Sequence, residues 1–420
     1  MPCNTGDYRT YVDVPAWSQA ATTTDAGASA PLPPTEDPWY TAPPDYELAS
    51  PGDVLRIRPA PGNLTTIFSN SSAAYNILFR STDTHYRPSW AVTTLFVPRG
   101  TNGNALVSYQ IPYNTVDLDG SPSYLLYAPV SPMAAIVNTD IDTALSYGWY
   151  VNVPDFEGPL ASFTVGVQSG HAVLDSVRAV LNTRFRLSDN ARYAMWGYSG
   201  GSLASEWAAE LQVQYAPELS FAGAALGGVL SNLSSIIPAI NGTMWAGLFP
   251  EALLGMTSQY PEAREYLLSQ LKPSGPYNRT ALLAAADLTI AEAFVVYAGQ
   301  DVYQYLRDGP EFFNAPVIEE VLNREGYMGY HGVPEMPLFV YKAVADEITS
   351  IEDTDTMVQR YCEVGANILY ERNTVGGHLA ELTNGDRRAF EWLSQVLGGS
   401  YKHQGCTVRN VAVNITDSPL

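Results

Sequence analysis

Cysteine is scarce in this sequence of 420 residues, which contains only Cys3, Cys362 and Cys406. No CxxC pair occurs, and no histidine cluster stands near the cysteines at the spacing of zinc ligands. No Walker or GxGxxG loop follows a predicted strand, so we expect neither a metal nor a cofactor. One disulfide fits an oxidising compartment, and Cys362 with Cys406 is the favoured pair because Cys3 lies in a segment that looks loosely ordered.

Basic residues are also few. The chain has 22 Lys and Arg against 43 Asp and Glu, which gives a formal net charge of -21. No broad basic surface is therefore available to neutralise phosphates, and nucleic acid is excluded as a partner. Charged residues make up only 15% of the chain and apolar residues 46%, which excludes a mostly disordered protein or a coiled coil. The composition indicates a globular protein and leaves its oligomeric state open.

The sequence lacks a hydrophobic run that could cross a membrane. Its longest uncharged stretch, residues 219–250, contains Pro238, Asn232 and Asn241, whose polar groups would lack partners in lipid. Residues 1–30 contain no apolar segment of the kind found in signal peptides. We therefore expect no transmembrane segment, and we expect that a signal peptide is absent from this chain.

Six Asn-x-Ser/Thr sequons favour a secreted, extracellular glycoprotein. Chance alone would give roughly two or three such triplets in a chain of this length. The candidate glycosylation sites are Asn63, Asn70, Asn232, Asn241, Asn278 and Asn414.

Short β-branched and aromatic runs alternate with stretches of helical periodicity along most of the chain. Strands are predicted at residues 91–97, 105–111, 150–153, 193–197, 222–226, 337–344 and 367–370. Helices are predicted at 165–181 and 203–213. This alternation is typical of an α/β fold with a mostly parallel sheet flanked by helices.

Changes in local composition and in hydrophobic periodicity suggest the domain boundaries. Proline, alanine, serine and threonine crowd residues 17–52, so we expect residues 1–52 to wrap the core in extended form. Mainly helical sequence between 231 and 331 interrupts the alternation and predicts an inserted cap, or lid. The core is then expected at 53–230 and 332–399, followed by a C-terminal tail at 400–420.

The sequence Gly197-Tyr198-Ser199-Gly200-Gly201 follows a predicted strand and precedes a predicted helix. It matches the pattern G-x-S-x-G, in which a nucleophilic serine occupies a sharp turn and small neighbours let the turn close. A plain glycine-rich turn is the alternative, but it has no need of the strand-to-helix context. Ser199 is therefore the candidate nucleophile.

A serine hydroxyl needs a base, and the chain contains only five histidines. In α/β hydrolases the nucleophile is followed along the chain by an acid and then by histidine. His378 fits this order, in a Gly-Gly-His loop after the last predicted strand. Asp346 follows the predicted strand 337–344 and is the candidate acid, although a solvated acidic loop with Glu347, Asp353 and Asp355 is the alternative.

Acyl transfer also needs hydrogen-bond donors for the developing oxyanion. The backbone N–H of Gly200 follows the nucleophile directly and is one candidate. Asn114 follows the predicted strand 105–111 and is the other, and a turn-forming asparagine is an equally good explanation of its local sequence.

The sequence resembles the fungal secretory lipases of the lipase A type, within the α/β-hydrolase superfamily. The resemblance extends over nearly the whole chain, and its most specific motifs are Gly197-Tyr198-Ser199-Gly200-Gly201 and Asp346-Glu347-Ile348. Other matching segments are Asp37-Pro38-Trp39-Tyr40-Thr41, Ser108-Tyr109-Gln110, Asp155-Phe156-Glu157-Gly158, Gly365-Ala366-Asn367-Ile368 and His378-Leu379. The resemblance implies an α/β-hydrolase fold, a Ser199–His378–Asp346 triad, a Gly200 oxyanion donor, a helical lid with an acyl-binding tunnel and the Cys362–Cys406 disulfide.

This sequence departs from the family pattern at two positions. Asn114 replaces an acidic residue of the first oxyanion loop, which leaves the backbone donor but puts the role of the side chain in doubt. Gly120 replaces a cysteine expected a few residues later, so a tie between core and lid is lost.

We therefore expect a secreted serine ester hydrolase, a lipase or esterase that acts on lipid or other hydrophobic acyl esters and makes transient contact with lipid interfaces. The alternative is a small-acyl esterase or acyltransferase that acts on a fungal secondary metabolite, and a non-catalytic binding protein is a third hypothesis. Apolar residues of the cap either contact the substrate or pack the cap on the core. The candidate substrate-binding residues are Tyr198, Trp245, Leu248 and Phe249.

Overall fold

The computed structural model describes residues 30–128, 132–183 and 185–415. Cys3 and residues 1–29 of the expected N-terminal segment therefore lie outside the described residues. Residues 30–52 contact the core: Arg58 of the first strand forms an ion pair with Asp37 at 2.7 Å, and the Trp90 indole N–H donates to the backbone oxygen of Tyr40 at 3.1 Å.

The described residues form one ten-stranded sheet with the order β1-β2-β3-β5-β4-β6-β7-β8-β9-β10. The strands are β1 Val54–Pro59, β2 Ser71–Thr82, β3 Pro88–Pro98, β4 Ala105–Gln110, β5 Tyr150–Pro154, β6 Arg192–Tyr198, β7 Gly223–Gly227, β8 Leu338–Ala343, β9 Ile368–Asn373 and β10 Cys406–Val411. The pairs β1/β2, β2/β3 and β3/β5 are antiparallel, and the remaining pairs are parallel. The mostly parallel sheet expected from the sequence is confirmed.

The α-helices lie between the strands and in one long insertion. They are α1 Leu64–Ile67, α2 Pro122–Leu125, α3 Pro132–Ser146, α4 Gly166–Thr183, α5 Gly200–Tyr215, α6 Leu233–Ile240, α7 Leu248–Met256, α8 Pro261–Gln270, α9 Arg279–Leu283, α10 Ile290–Tyr297, α11 Pro316–Glu325, α12 Ile351–Glu363 and α13 His378–Leu397. Short 3-10 helices occur at Pro38–Tyr40, Tyr46–Leu48, Leu118–Gly120, Gly158–Leu160, Ala284–Asp287, Val302–Tyr305 and Gly309–Asn314.

Helices cover both faces of the sheet, as the contacts of β4 show. Ser108 and Tyr109 are neighbours on this strand, so their side chains point to opposite faces. The Ser108 hydroxyl is linked through Asn152 to Ser176 of α4, whereas the Tyr109 hydroxyl donates to Asp140 of α3 at 2.8 Å. The sheet is therefore the middle of three layers, and its central strands β4 to β8 are buried on both sides.

The segment expected to form a cap contains helices α6 to α11 and joins the core at an antiparallel bridge between Asn232 and Tyr327. The helical sequence at 281–298 is divided in the structure into α9, a 3-10 turn and α10. The break falls before Thr289, which begins α10 with a capping box to Glu292. Across the described residues, no helix is long and apolar enough to span a bilayer.

The expectation of a C-terminal tail is wrong for residues 406–411. These residues form β10, which pairs in parallel with β9 from Ile368 to Asn373. A disulfide joins Cys406 at its start to Cys362 of α12, the pair that the sequence favours. Hydrogen bonds to β9 and this covalent link hold an edge strand whose side chains are mostly exposed.

Candidate active site

Ser199 occupies the turn between β6 and α5, with φ 53° and ψ −124°. The turn closes only because its neighbours have no side chains. A Cβ at Gly197 would lie 2.2 Å from the backbone oxygen of Gly201, and a Cβ at Gly201 would lie 1.9 Å from that of Gln110. The glycine spacing in the sequence therefore has a steric cause, and the turn presents the Ser199 hydroxyl at the carboxyl edge of the sheet.

The structure brings Ser199, His378 and Asp346 together. His378 Nε2 lies 2.9 Å from Ser199 Oγ, and His378 Nδ1 lies 2.8 Å from Asp346 Oδ2. His378 is the first residue of α13 and follows β9, while Asp346 follows β8. The parallel strands β6, β8 and β9 thus end at one edge of the sheet, and the three side chains that follow them lie together there.

The Asp346 carboxylate accepts four hydrogen bonds. Its Oδ1 accepts from the backbone N–H groups of Ile348 and Thr349, each at 3.0 Å. Its Oδ2 accepts from His378 and from the Lys342 ammonium at 2.9 Å. Burial opposes ionisation, but the hydrogen bond from His378 and the neighbouring positive charges hold the pKa of Asp346 well below its usual range.

The other acidic residues of this loop have different partners. The Glu347 carboxylate accepts from the backbone N–H of His378 at 2.8 Å, and so orients the loop rather than the imidazole. Asp353 accepts from Asn232 and Ser235 of the cap, and Asp355 forms an ion pair with Arg372. Asp346 is therefore the carboxylate that contacts the imidazole.

Asn114 lies beside Gly200 in a left-handed conformation with φ 48°. A Cβ at Gly200 would meet Asn114 Oδ1 at 1.8 Å, so glycine is required there as well. The Gly200 N–H belongs to the first turn of α5, where backbone donors have no intrahelical acceptor. Both candidate oxyanion donors thus belong to residues near Ser199, since Gly200 follows it in the chain and Asn114 lines the same cavity.

A buried carboxyl cluster supports the loop that contains Asn114. Glu251 of α7 accepts a hydrogen bond from the Val116 N–H at 2.9 Å, and burial raises its pKa to about 8. Burial and the charge of Glu251 raise the pKa of Glu157 well above its usual range. The backbone N–H groups of Thr115 and Asn114 oppose that rise because they face the Glu157 carboxyl. The cap therefore contacts the loop that contains Asn114 directly through an acidic side chain.

A cavity that opens to solvent extends from Ser199 into the cap. Apart from Asn114, Thr164 and Ser199 its lining is apolar. The apolar lining residues are Phe163, Leu203, Leu230, Leu233, Ile236, Ile237, Ile240, Leu248, Phe249, Ala252, Leu253, Met256, Phe313 and Leu322.

Two of the four candidate substrate-binding residues, Leu248 and Phe249, line this cavity. Tyr198 does not: its ring is buried beneath His378, and its hydroxyl donates to the backbone oxygen of that residue. Trp245 packs edge-on against Phe294, with its ring centre 6.5 Å from that of His378. Both aromatic side chains support the histidine, because their large rings fill the space around it.

Thr164 is a lining residue that the sequence does not reveal. Its φ of 69° is unusual for a β-branched residue, and its hydroxyl donates to the Ala252 backbone oxygen of the cap at 3.3 Å. Asn114 and Ser199 also have positive φ, so three non-glycine residues in strained conformations meet at this cavity. No short sequence motif predicts this strain, because packing between segments that are distant in the sequence imposes it.

The six sequons differ in exposure. Asn63 is exposed, and the other five asparagines are half-buried. The side-chain amide nitrogens of Asn70, Asn232 and Asn278 donate to Asp142, Asp353 and the Gly275 backbone, respectively. Attachment of a glycan would disrupt those three hydrogen bonds, and the use of all six sites stays a prediction.

Comparisons with known proteins identify the family and the fold of this chain. The secretory lipase family model matches residues 132–405. The chain is 50% identical to the trichothecene C-3 esterase of Fusarium sporotrichioides over 94% of this chain and 91% of that protein. It is 43% identical to a probable trichothecene esterase of Stachybotrys chartarum, covering 93% and 83%. Lipase A of Candida antarctica in its closed state superposes with a TM-score of 0.83 at 26% identity, covering 93% and 92%.

The fold and the relatives define a carboxylic ester hydrolase with the α/β-hydrolase fold. Within that class, the chain belongs to the secretory lipase family.

Proposed function

We propose that Ser199, His378 and Asp346 are the catalytic triad of this ester hydrolase. The observation that supports the proposal is the continuous hydrogen-bonded series Asp346–His378–Ser199, whose serine end opens into the apolar cavity. In this arrangement His378 Nε2 faces the hydroxyl, and Nδ1 faces a carboxylate held by four donors.

The reaction follows from the positions of these atoms. Ser199 Oγ attacks the ester carbonyl carbon while His378 Nε2 removes its proton. Asp346 holds the imidazole in the required tautomer and stabilises its charged form. His378 then donates the proton to the departing alcohol oxygen, and water hydrolyses the acyl-enzyme by the same steps in reverse.

We propose that the Gly200 N–H and the Asn114 side-chain amide stabilise the oxyanion. Because the Asn114 backbone N–H faces Glu157 and Asn114 is a lining residue of the cavity, its side-chain amide is the better placed donor of this residue. Fixed donors of this kind act in the transition state without reorganising.

We propose that the substrate is a small-acyl ester of a secondary metabolite of the trichothecene class. The trichothecene C-3 esterase at 50% identity and the probable trichothecene esterase at 43% identity support this choice. A lipid ester is the second candidate, because the cavity is lined by apolar residues of α6, α7 and α11 and could hold a long acyl chain. Transient contact with a lipid interface belongs to this second candidate.

A fluorophosphonate probe and a substrate series test these proposals. The probe should label Ser199 in the wild type and fail to label Ser199→Ala, and His378→Ala should lower turnover roughly a million-fold. Labelling at another residue would contradict the triad. An acylated trichothecene should be hydrolysed faster than p-nitrophenyl palmitate, whereas the opposite order would favour the lipid ester.

We also propose that the protein acts outside the cell. Its disulfide, its sequons and its membership of a family described as secretory support an extracellular location. If so, protein expressed in its natural host is recovered from the medium. Retention of active protein inside the cells would contradict this.

A further inference from the structure

Lys342 is a fully buried lysine at the centre of the active-site edge of the sheet. It lies on β8, and its side chain is 0% exposed. Its Nζ lies 2.9 Å from Asp346 Oδ2 and 3.3 Å from the backbone oxygen of Val229. Lysine is almost never fully buried without a partner, and an ammonium has donors only. Two acceptors at these distances match a charged ammonium group.

The ammonium and the imidazole share one oxygen atom. Asp346 Oδ2 accepts from Lys342 Nζ and from His378 Nδ1 at 2.8 Å. The positive charge therefore lies two hydrogen bonds from the imidazole, with the carboxylate between them. All three side chains are nearly or completely excluded from water, so the interaction is weakly screened.

We propose that Lys342 is a positioning residue that holds Asp346 aimed at His378 and sets the lowest pH at which the enzyme works. The proposal rests on the catalytic triad proposed above. Alone, the negative charge of Asp346 would favour the protonated imidazole, which cannot act as a base. Lys342 cancels part of that charge, which favours the neutral imidazole that acts as the base.

The other titratable groups described around His378 and Asp346 do not supply a positive charge in place of Lys342. Burial lowers the pKa of Lys342, and the charges of Asp346, Asp353 and Asp355 oppose this, which favours the ammonium. Glu347 contacts the backbone N–H of His378. The Tyr198 hydroxyl beneath the ring is kept neutral because burial raises its pKa. Among the described contacts of Asp346 and His378, Lys342 therefore supplies the positive side chain.

The test removes the charge of Lys342 by two different substitutions. Lys342→Met removes the ammonium and keeps the length of the chain, and Lys342→Gln removes the charge but keeps a donor for Asp346. Lys402→Met is the control, because Lys402 is exposed. The pH dependence of kcat/KM is measured for each, and the His378 ring is titrated by NMR in a Ser199→Ala background.

We expect the acid limb of kcat/KM and the His378 titration to move upward by about one to two pH units in both Lys342 variants. Lys402→Met should match the wild type. An unmoved limb, with or without a loss of stability, would overturn the proposal, and so would a shift in Lys342→Met alone. Failure of the triad would be recognised separately, because the wild type would then not be labelled at Ser199.

Discussion

At the scale of the residue, Asp346 and Asp353 provide a matched pair of carboxylates on neighbouring segments. Asp346 contacts the imidazole, whereas Asp353 contacts Asn232 and Ser235. Asp346→Asn should lower kcat by about ten-thousand-fold, because an amide favours the wrong tautomer of His378. Asp353→Asn should retain turnover close to that of the wild type. Steady-state kinetics on a p-nitrophenyl ester measure both, and the reverse order would assign the acid to Asp353.

A substitution at Asn114 tests whether its side-chain amide is the second oxyanion donor. Asn114→Gly removes the side-chain amide and tolerates the φ of 48°. We predict a loss of about a hundred- to a thousand-fold in kcat with little change in KM, because the amide acts on the transition state. Retained turnover would show that the side chain has no such role. Labelling with a fluorophosphonate reports separately on Ser199.

At the scale of the element, α7 is the part of the cap that both lines the cavity and contacts the oxyanion loop. Leu248→Trp should fill part of the cavity and lower activity on long acyl esters several-fold more than on acetate. Val295→Trp on α10 is the control, since Val295 is 81% exposed. Rates across a series of p-nitrophenyl esters measure the effect. An equal change at every chain length would exclude the cavity as the acyl site.

The strands differ in how well the sequence predicts them. The central strands β4 to β9 were predictable because burial on both faces selects continuous apolar runs. β2 was missed, since its buried residues include Arg80, which bonds Thr82, and Asn76, which bonds Thr94. β1 was missed because none of its residues is fully buried, so it has no buried apolar run. β10 was missed because its exposed side chains carry no apolar signal.

The site was predictable to the extent that its chemistry is local. G-x-S-x-G and the strand-end positions identified Ser199, Asp346 and His378, which the structure brings together. Tyr198 of the motif and Trp245 of the cap were candidate substrate-binding residues, but they pack around the histidine. Thr164 and Lys342 depend on contacts between distant strands and loops, for which the sequence has no short-range signal.

At the scale of the whole molecule, buried carboxyl groups predict stability in mildly acidic solution. Burial raises the pKa of Asp175 to about 6, of Asp155 to about 7 and of Glu251 to about 8. The folded protein then binds more protons than the unfolded chain between pH 4 and these values, so the free energy of unfolding falls as pH rises. Burial lowers the pKa of His171 to about 4. This one group therefore has the opposite effect, and makes the free energy of unfolding rise between pH 4 and 6.5.

We predict that the free energy of unfolding is greater at pH 5 than at pH 8 by roughly 2 kcal/mol or more. Urea titrations at the two pH values measure the difference. Asp155→Asn should reduce it, because the amide cannot release a proton, whereas Glu391→Gln at an exposed site should not. Greater stability at pH 8 would mean that these carboxyls are ionised in the folded state.

At the strained residues around the cavity, activity and thermal stability favour different amino acids. Left-handed backbone at Asn114, Thr164 and Ser199 costs on the order of 1–3 kcal/mol each, and glycine would relieve much of it. In a lineage selected only for heat resistance, glycine would be favoured at all three positions. The descendants would keep the sheet and the cap, melt at a higher temperature and lose the Ser199 hydroxyl. Under the proposed mechanism such descendants would be hardier but inactive, so selection for catalysis would be what keeps Ser199 in place.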